Sequence, residues 1–327
     1  MPVINTEFST TIKEKVKEGD GNILNYLCNR YTYRDKESWQ IAIHQSLILI
    51  NQEVVTLTSE LKKGDILTFK VVNYNEPETP VDYKAIYEDE DLLVIHKPPG
   101  LPVHKTGKIF FNTLVNLIRK EWGNEEISPL NRLDVETSGL VAFAKNKPAL
   151  KKYSPQSKQC HWTKIYTAVV MGVVDYQELD LKTGLTTDEK NDIRCQMVVD
   201  EKGKLSQTKI KRVEQYGTWA WVVLSPVTGR KHQLRAHLAH KGTPICGDKI
   251  YSHGGAYYLK RIEEDLTAED FKVLGSKYHL LHNFFLKLEV EGQKEITIFD
   301  WNFSAEFEER VTSLQMKDWW ELNSESF

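Results

Sequence analysis

PLNRLDVETSGLVAFAK, residues 129–145, sets one carboxylate, Asp134, in a short polar loop two residues after Arg132. Thr137, Ser138 and Gly139 then turn the chain into an apolar run, residues 140–144. Turn residues leading into β-prone apolar residues predict a loop that feeds a strand. Loops carried on rigid strands commonly hold reactive groups. An Asp in such a loop also serves as a turn or cap residue, so its meaning depends on the rest of the chain.

Upstream, residues 85–87 and 92–96 read as strands, and Lys97-Pro98-Pro99-Gly100 as a turn. Residues 111–122 have helical periodicity, with Asn112 as the expected N-cap and Gly123 as the stop. Downstream, residues 163–172 alternate as a strand, with Tyr166, Ala168 and Val170 on one face. Residues 206–213, 219–224, 280–290 and 295–299 are further predicted strands. Residues 228–241 read as a short helix capped by Thr228 and ended by Gly242. Phe307, Val311 and Leu314 have helical spacing, so residues 301–327 are expected to form an acidic helical extension. The expected class is α+β, with a central mixed, mostly antiparallel sheet and flanking helices.

Residues 1–72 read as a separate module: helical spacing at Ile23, Leu24, Leu27 and Tyr31, a second helix around Trp39–Ile43, and a hairpin turning near Asn51-Gln52. A Gly64-Asp65 turn then leads into a strand. Residues 73–82 are polar with two prolines and read as a linker to a domain over residues 83–300.

The 327 residues, 40% hydrophobic and 27% charged, describe an ordinary globular protein with room for a large core. No apolar run is long enough to span a bilayer, and the first 20 residues lack a basic segment followed by an apolar one, so no signal peptide is expected. Cys28, Cys160, Cys195 and Cys246 form no CxxC, which suits thiols in a reducing cytoplasm. The net charge of -3 hides an asymmetry. Three windows contain no acid: between Asp91 and Glu121 (with Lys97, Lys105, Lys108), between Glu136 and Asp175 (with Lys145, Lys147, Lys152) and between Glu214 and Asp248 (with Arg230, Lys231, Arg235). From residue 258 onward, 15 acids face 8 Lys and Arg. Basic windows in the middle of the chain suit a polyanion partner.

A second distinctive stretch, residues 225–251, concentrates Arg230, Lys231, His232, Gln233, Arg235, His237 and His240. The histidines lack zinc-ligand spacing and a paired Cys, so no metal is expected. His237 reads as a satisfied, partly buried histidine. An inward Arg235 or Arg230 would be the natural partner of a buried carboxylate, which is otherwise protonated or costly.

At this point five blocks, in order, resemble the RluA-type pseudouridine synthases over residues 83 to about 290. They are YEDEDLLVIHKPPGLPVH (87–104), NRLDVETSGLVAFAKN (131–146), KIYTAVVMG (164–172), TGRKHQLRAHLAHKGTPICGDKIY (228–251) and LLHNFFLKL (280–288). The N-terminal module is similar to the S4 RNA-binding module, with Gly21 and Asn22 near the place of its usual Arg and Asp. The resemblance implies isomerisation of uridine in RNA, without cofactor. It implies that Asp134 is the essential carboxylate, Arg235 its ion-pair partner, and Tyr166 the ring against the target base. Arg132 would enter the stack when the nucleotide flips, and Lys97, Arg230 and His232 would bind substrate. Asn131 stands where the family usually has His, Lys231 and Thr243 where Thr and His are common, and Asn283 where a small residue is usual. The expected substrate is rRNA, with tRNA the alternative, for a cytoplasmic monomer. Two rivals remain: Asp134 and Glu136 as paired carboxylates of a glycosidase or nucleosidase, with Glu136 expected to face solvent in the plainer reading, and a non-catalytic RNA chaperone on the same fold.

Overall fold

The computed structural model describes residues 8–16, 21–31, 34–74, 76–106, 109–188 and 191–324. Residues 1–7 of the N-terminal module, Asn75 of the linker and Lys108 of the first basic window lie outside the described residues. The chain packs as two units: Met1–Thr79 with His104–Leu117, and Pro80–Val103 with Ile118–Phe327.

The first unit runs β1 (Phe8–Lys15), β2 (Gly21–Asn22), α1 (Ile23–Arg30), α2 (Lys36–His44), β3 (Ile48–Ile50), β4 (Glu53–Val54), β5 (Glu60–Leu61) and β6 (Ile66–Tyr74). Its main sheet has the order β1-β6-β3-β4, all antiparallel. Asn22 caps α1 by accepting from the amides of Leu24 and Asn25. Asn51 and Gln52 both have positive φ, which a two-residue hairpin turn requires. Trp39, Leu27, Ile23, Leu67 and Phe69 are buried at the centre. Because β6 runs to Tyr74, strand occupies the start of the expected linker.

The chain continues with β7 (Lys84–Glu88), β8 (Leu92–Lys97), α3 (Leu114–Trp122), β9 (Ser128–Pro129), β10 (Ser138–Ala144) and α4 (Lys147–Tyr153). β11 (Cys160–Met171), β12 (Glu178–Thr187), β13 (Met197–Val199), β14 (Lys204–Tyr216), β15 (Trp219–Pro226) and α5 (Gln233–His240) follow. The chain ends through α6 (Ala256–Glu263), α7 (Ala268–Leu274), β16 (Leu281–Val290), β17 (Ile296–Phe299), α8 (Ala305–Glu308) and α9 (Ser313–Asn323). One sheet joins its strands in the order β13-β12-β14-β15-β11-β16-β10-β8-β7, with β17 on β16 and β9 on β10. Among the described residues of this sheet only β10 and β16 run parallel; the other paired strands run antiparallel. The sheet is therefore mixed and mostly antiparallel. β8 and β10 are buried throughout, as unbroken apolar runs covered on both faces should be. Among the described residues no helix is long and apolar enough to cross a membrane.

Three expected helices are corrected. α3 starts at Leu114, because the Asn112 amide is taken by Glu76 and the Asn116 amide turns to the Thr113 hydroxyl. α5 starts at Gln233 rather than near Thr228, whose hydroxyl instead holds the Gln207 amide and the Gln233 side chain. The C-terminal extension is two helices, not one: Phe307, Val311 and Met316 are buried, and Leu314 is exposed.

Candidate active site

The loop holding Asp134 is closed by a turn in which the Thr137 amide donates to the Asp134 carbonyl at 3.1 Å. It enters β10 where that strand meets β16, pairing Ser138 with His282 and Gly139 with Asn283. Gly139 has φ of +107°, and a Cβ there would lie 2.3 Å from the Asn283 carbonyl oxygen. Only glycine fits this crossing. Asn131 steadies the other side of the loop by donating to the Leu140 carbonyl at 3.2 Å and accepting from the Ala142 amide at 2.8 Å.

Arg235, on α5, donates through Nη1 to Asp134 Oδ2 at 2.8 Å. Its Nε and Nη2 fork onto Asp248 at 2.7 and 2.8 Å. Asp248 is fully buried, and its Oδ1 also accepts from the amides of Ile250 and Tyr251. Burial opposes the Arg235 charge, but two carboxylates outweigh it and hold the guanidinium far above its usual range. Burial would raise the Asp134 carboxyl; the Arg235 charge and hydrogen bond, together with the nearby His232 and His279, offset that and keep it below the ordinary aspartate value. The Asp134 side chain remains 30% exposed, and its Oδ1 accepts no hydrogen bond from the described residues. The site therefore holds an ionised carboxylate with one oxygen open.

His232 stands in the left-handed region at the start of α5, with Nε2 3.8 Å from Asp134 Oδ2. Burial, then the neighbouring Arg235 charge, pulls its ring down to about 4, so it is neutral at pH 7. The Tyr251 hydroxyl accepts from the Met197 amide and lies 3.2 Å from His232 Nδ1. Tyr166 is buried on β11, in an apolar cluster that includes Leu234 and partly buried Leu133. Burial, reinforced by the Asp134 charge, raises its phenol well above the usual value.

Two readings are corrected here. Lys97 is not a substrate-binding lysine: it is fully buried, and its Nζ donates to the carbonyls of Pro98, Leu101 and Val135 at 2.9, 2.9 and 3.0 Å. Burial alone pulls it to about 7, against Asp134 and Glu136, while the three carbonyls take all three hydrogens of the charged form. Glu136 does not face solvent; its carboxylate meets Lys249 at 2.9 Å and Arg261 at 3.1 Å.

The basic windows are also less free in space than in sequence. Lys145 pairs with Glu88, Lys152 with Asp91 and Lys147 with Glu126. Arg132, Arg230 and Lys231 are exposed, and Arg230 reaches the Leu205 carbonyl rather than a carboxylate. His237 is fully buried among Thr183, Ser206 and Thr208. Sequence reasoning gave no role to Asp248, Lys249, Tyr251 or His279. Asp248 and Tyr251 stood inside a quoted block, and a buried Arg with more hydrogens than one carboxylate can take was the available signal.

A mixed sheet presenting a single open carboxylate, locked by a buried arginine, defines a carboxylate-centred site. Residues 91–240 match the RNA pseudouridylate synthase family. The chain is 34% identical over 239 residues to the "Dual-specificity RNA pseudouridine synthase RluA" of Vibrio parahaemolyticus, covering 71% of this chain and 93% of that protein. It is 34% identical over 250 residues to the "tRNA pseudouridine(32) synthase, mitochondrial" of Saccharomyces cerevisiae, covering 75% of this chain and 53% of that protein. The chain thus spans about half the length of the yeast relative. In fold it is similar to "Human RNA Pseudouridylate Synthase Domain Containing 1", with a TM-score of 0.54, 22% identity, and coverage of 69% of this chain and 85% of that one. The protein belongs to the RNA pseudouridine synthase family.

Proposed function

We propose that this protein isomerises uridines in structured RNA to pseudouridine, with Asp134 as the essential carboxylate. The observation that carries the reading is that Asp134 is ionised, fixed by Arg235, and still has an open oxygen. The N1–C1′ bond breaks, the base turns, C5 bonds to C1′, and the C5 hydrogen leaves as a proton while N1 takes one up. A C–C bond replaces a C–N bond, so the reaction draws on no cofactor or energy source. Asp134 acts either by attack at C1′ or by removing a sugar proton. Tyr166 supplies a ring for the turned base, Arg132 is the exposed side chain that enters the vacated stack, and His232 and Arg230 bind substrate. Glu136, with both oxygens occupied by cations, is poorly suited to the second-carboxylate role of a glycosidase.

On this reading residues 83–300 are the catalytic domain, 1–72 an S4-like RNA-binding module, 73–82 a linker and 301–327 a helical extension. The protein acts as a monomer in the cytoplasm; the yeast relative's name places that protein in mitochondria. The substrate is rRNA or tRNA, and the two relatives' names give reason to test both. Pseudouridine mapping of total RNA, from cells with and without the gene, tests all of this. The expected result is a site lost on deletion and restored by the wild-type gene but not by Asp134→Ala. Restoration by Asp134→Ala would remove Asp134 from the chemistry, and no lost site would favour an RNA chaperone on this fold.

A further inference from the structure

Every residue that follows Asp134 into β10 is fastened separately. The Val135 carbonyl accepts from Lys97 Nζ at 3.0 Å and from the Gly100 amide at 2.8 Å. The Thr137 hydroxyl meets His279 Nε2 at 2.7 Å, and the Ser138 hydroxyl meets His282 Nδ1 at 2.8 Å. Glu136 Oε2 accepts from Lys249 Nζ at 2.9 Å and from the His279 amide at 3.4 Å, and its Oε1 accepts from Arg261 at 3.1 Å. Lys249 also donates to the carbonyls of Gly247 at 3.3 Å and Lys277 at 2.5 Å.

Lys249 directly follows Asp248, the residue that locks Arg235. The loop and the 248–249 turn are therefore joined twice. One link is Asp134–Arg235–Asp248; the other is Glu136–Lys249. Asp134 is held to the guanidinium through one oxygen, so its angle depends on how the residues after it are fastened. Of those fastenings, the Glu136–Lys249 ion pair reaches the same turn that locks Arg235. As a stabilising device it makes little sense, since a buried pair barely repays its desolvation and apolar isosteres often serve as well.

We infer that Glu136 is a positioning residue: its ion pair with Lys249 sets the angle at which Asp134 meets the nucleotide. This rests on the synthase reading above and adds a residue to it. A carboxylate displaced by about 1 Å loses rate on the order of 10²-fold, whereas RNA binding through the exposed cations is untouched.

The test uses the full-length protein and bulk RNA labelled with tritium at uridine C5, prepared from cells lacking the gene. Tritium released to water reports turnover. Glu136→Gln is expected to lower the single-turnover rate about 10²-fold, while the enzyme concentration giving half-maximal rate stays within about two-fold. Its unpaired Lys249 will also lower the melting temperature. Glu136→Gln/Lys249→Met removes both buried charges with near-isosteres, and is expected to recover the melting temperature but not the rate. A wild-type rate in Glu136→Gln, or a rate that recovers with stability in the double variant, would overturn the inference. Absence of tritium release by the wild-type protein would instead overturn the synthase reading itself.

Discussion

Asp134 and Asp300 are two carboxylates of one unit held by opposite means. Asp300 is fully buried, and each oxygen is filled: Oδ1 accepts from the amide and side chain of Asn302, and Oδ2 accepts from His96 Nδ1 at 2.6 Å. Its carbonyl takes His282 Nε2 at 3.1 Å, and through that ring the cluster reaches Ser138. Asp134 has one strong partner, a full positive charge, and keeps an oxygen in the open. Filling both oxygens of a buried carboxylate makes a fastener. Holding it ionised from one side, by a charge that is itself locked, leaves a lone pair for chemistry.

The sharpest way to break that contrast is to remove each charge in turn. Asp134→Asn should abolish tritium release, by at least about 10⁴-fold, while RNA affinity and the urea midpoint stay near wild type. Asp300→Asn should do the reverse, losing about 2–3 kcal/mol of stability as the His96 hydrogen loses its acceptor, with the folded fraction still active. If Asp300→Asn stops turnover in folded protein, or Asp134→Asn unfolds it, the division between fastener and reactive group fails.

The two kinds of support also separate by pH. His232, His279 and His282 are each drawn down to about 4, chiefly by burial. An unfolded histidine titrates near 6.5, so from there down to about 4 the unfolded chain binds the extra protons. Stability should then fall as pH drops through that window, by up to about 1.4 kcal/mol per pH unit for each ring. The carboxyls of Asp134, Glu136 and Asp248 lie below their usual values; their contribution is present above about 4 and is lost only as pH falls through the folded values. Turnover should therefore show no limb from Asp134 between pH 6 and 8. Urea unfolding at pH 7, 6 and 5 checks the first part, and equal stability at all three would mean the rings are not held neutral.

The smallest effects concern the surface. Arg132→Ala and Lys231→Ala, both at exposed positions, should each reduce the slope of log affinity against log salt by about 0.7–0.9. Lys97→Met should leave that slope unchanged, because its ammonium is spent on three carbonyls. A shallower slope in Lys97→Met would return that residue to the RNA.

The misread residues share a cause. Lys97 reads in sequence as a substrate-binding cation of a basic window, and Glu136 as facing solvent, the usual habit of such residues. Each has a partner in another segment: Val135 is 38 residues from Lys97 and Lys249 is 113 from Glu136. Thr228 was a sound cap candidate whose hydroxyl a neighbouring strand had claimed. Two misses were legible: Thr267-Ala-Glu-Asp270 closes a capping box at the start of α7, and Leu179 and Leu181 alternate along β12. α6 buries no residue and offers no such signal.

Most strands of the larger unit, the turn through Gly139 into β10 and the blocks that carry the family were legible in the sequence, because each depends on residues close together in the chain. The sequence also marked Asp134 and Arg235 as residues of interest. Which charges are free depends on packing between distant segments. Arg235 and Asp134 are 101 positions apart, and whether a lysine or glutamate meets water or a partner depends on what the sheet brings beside it. Periodicity reports the face a side chain leaves from; it carries no information about the segment waiting opposite.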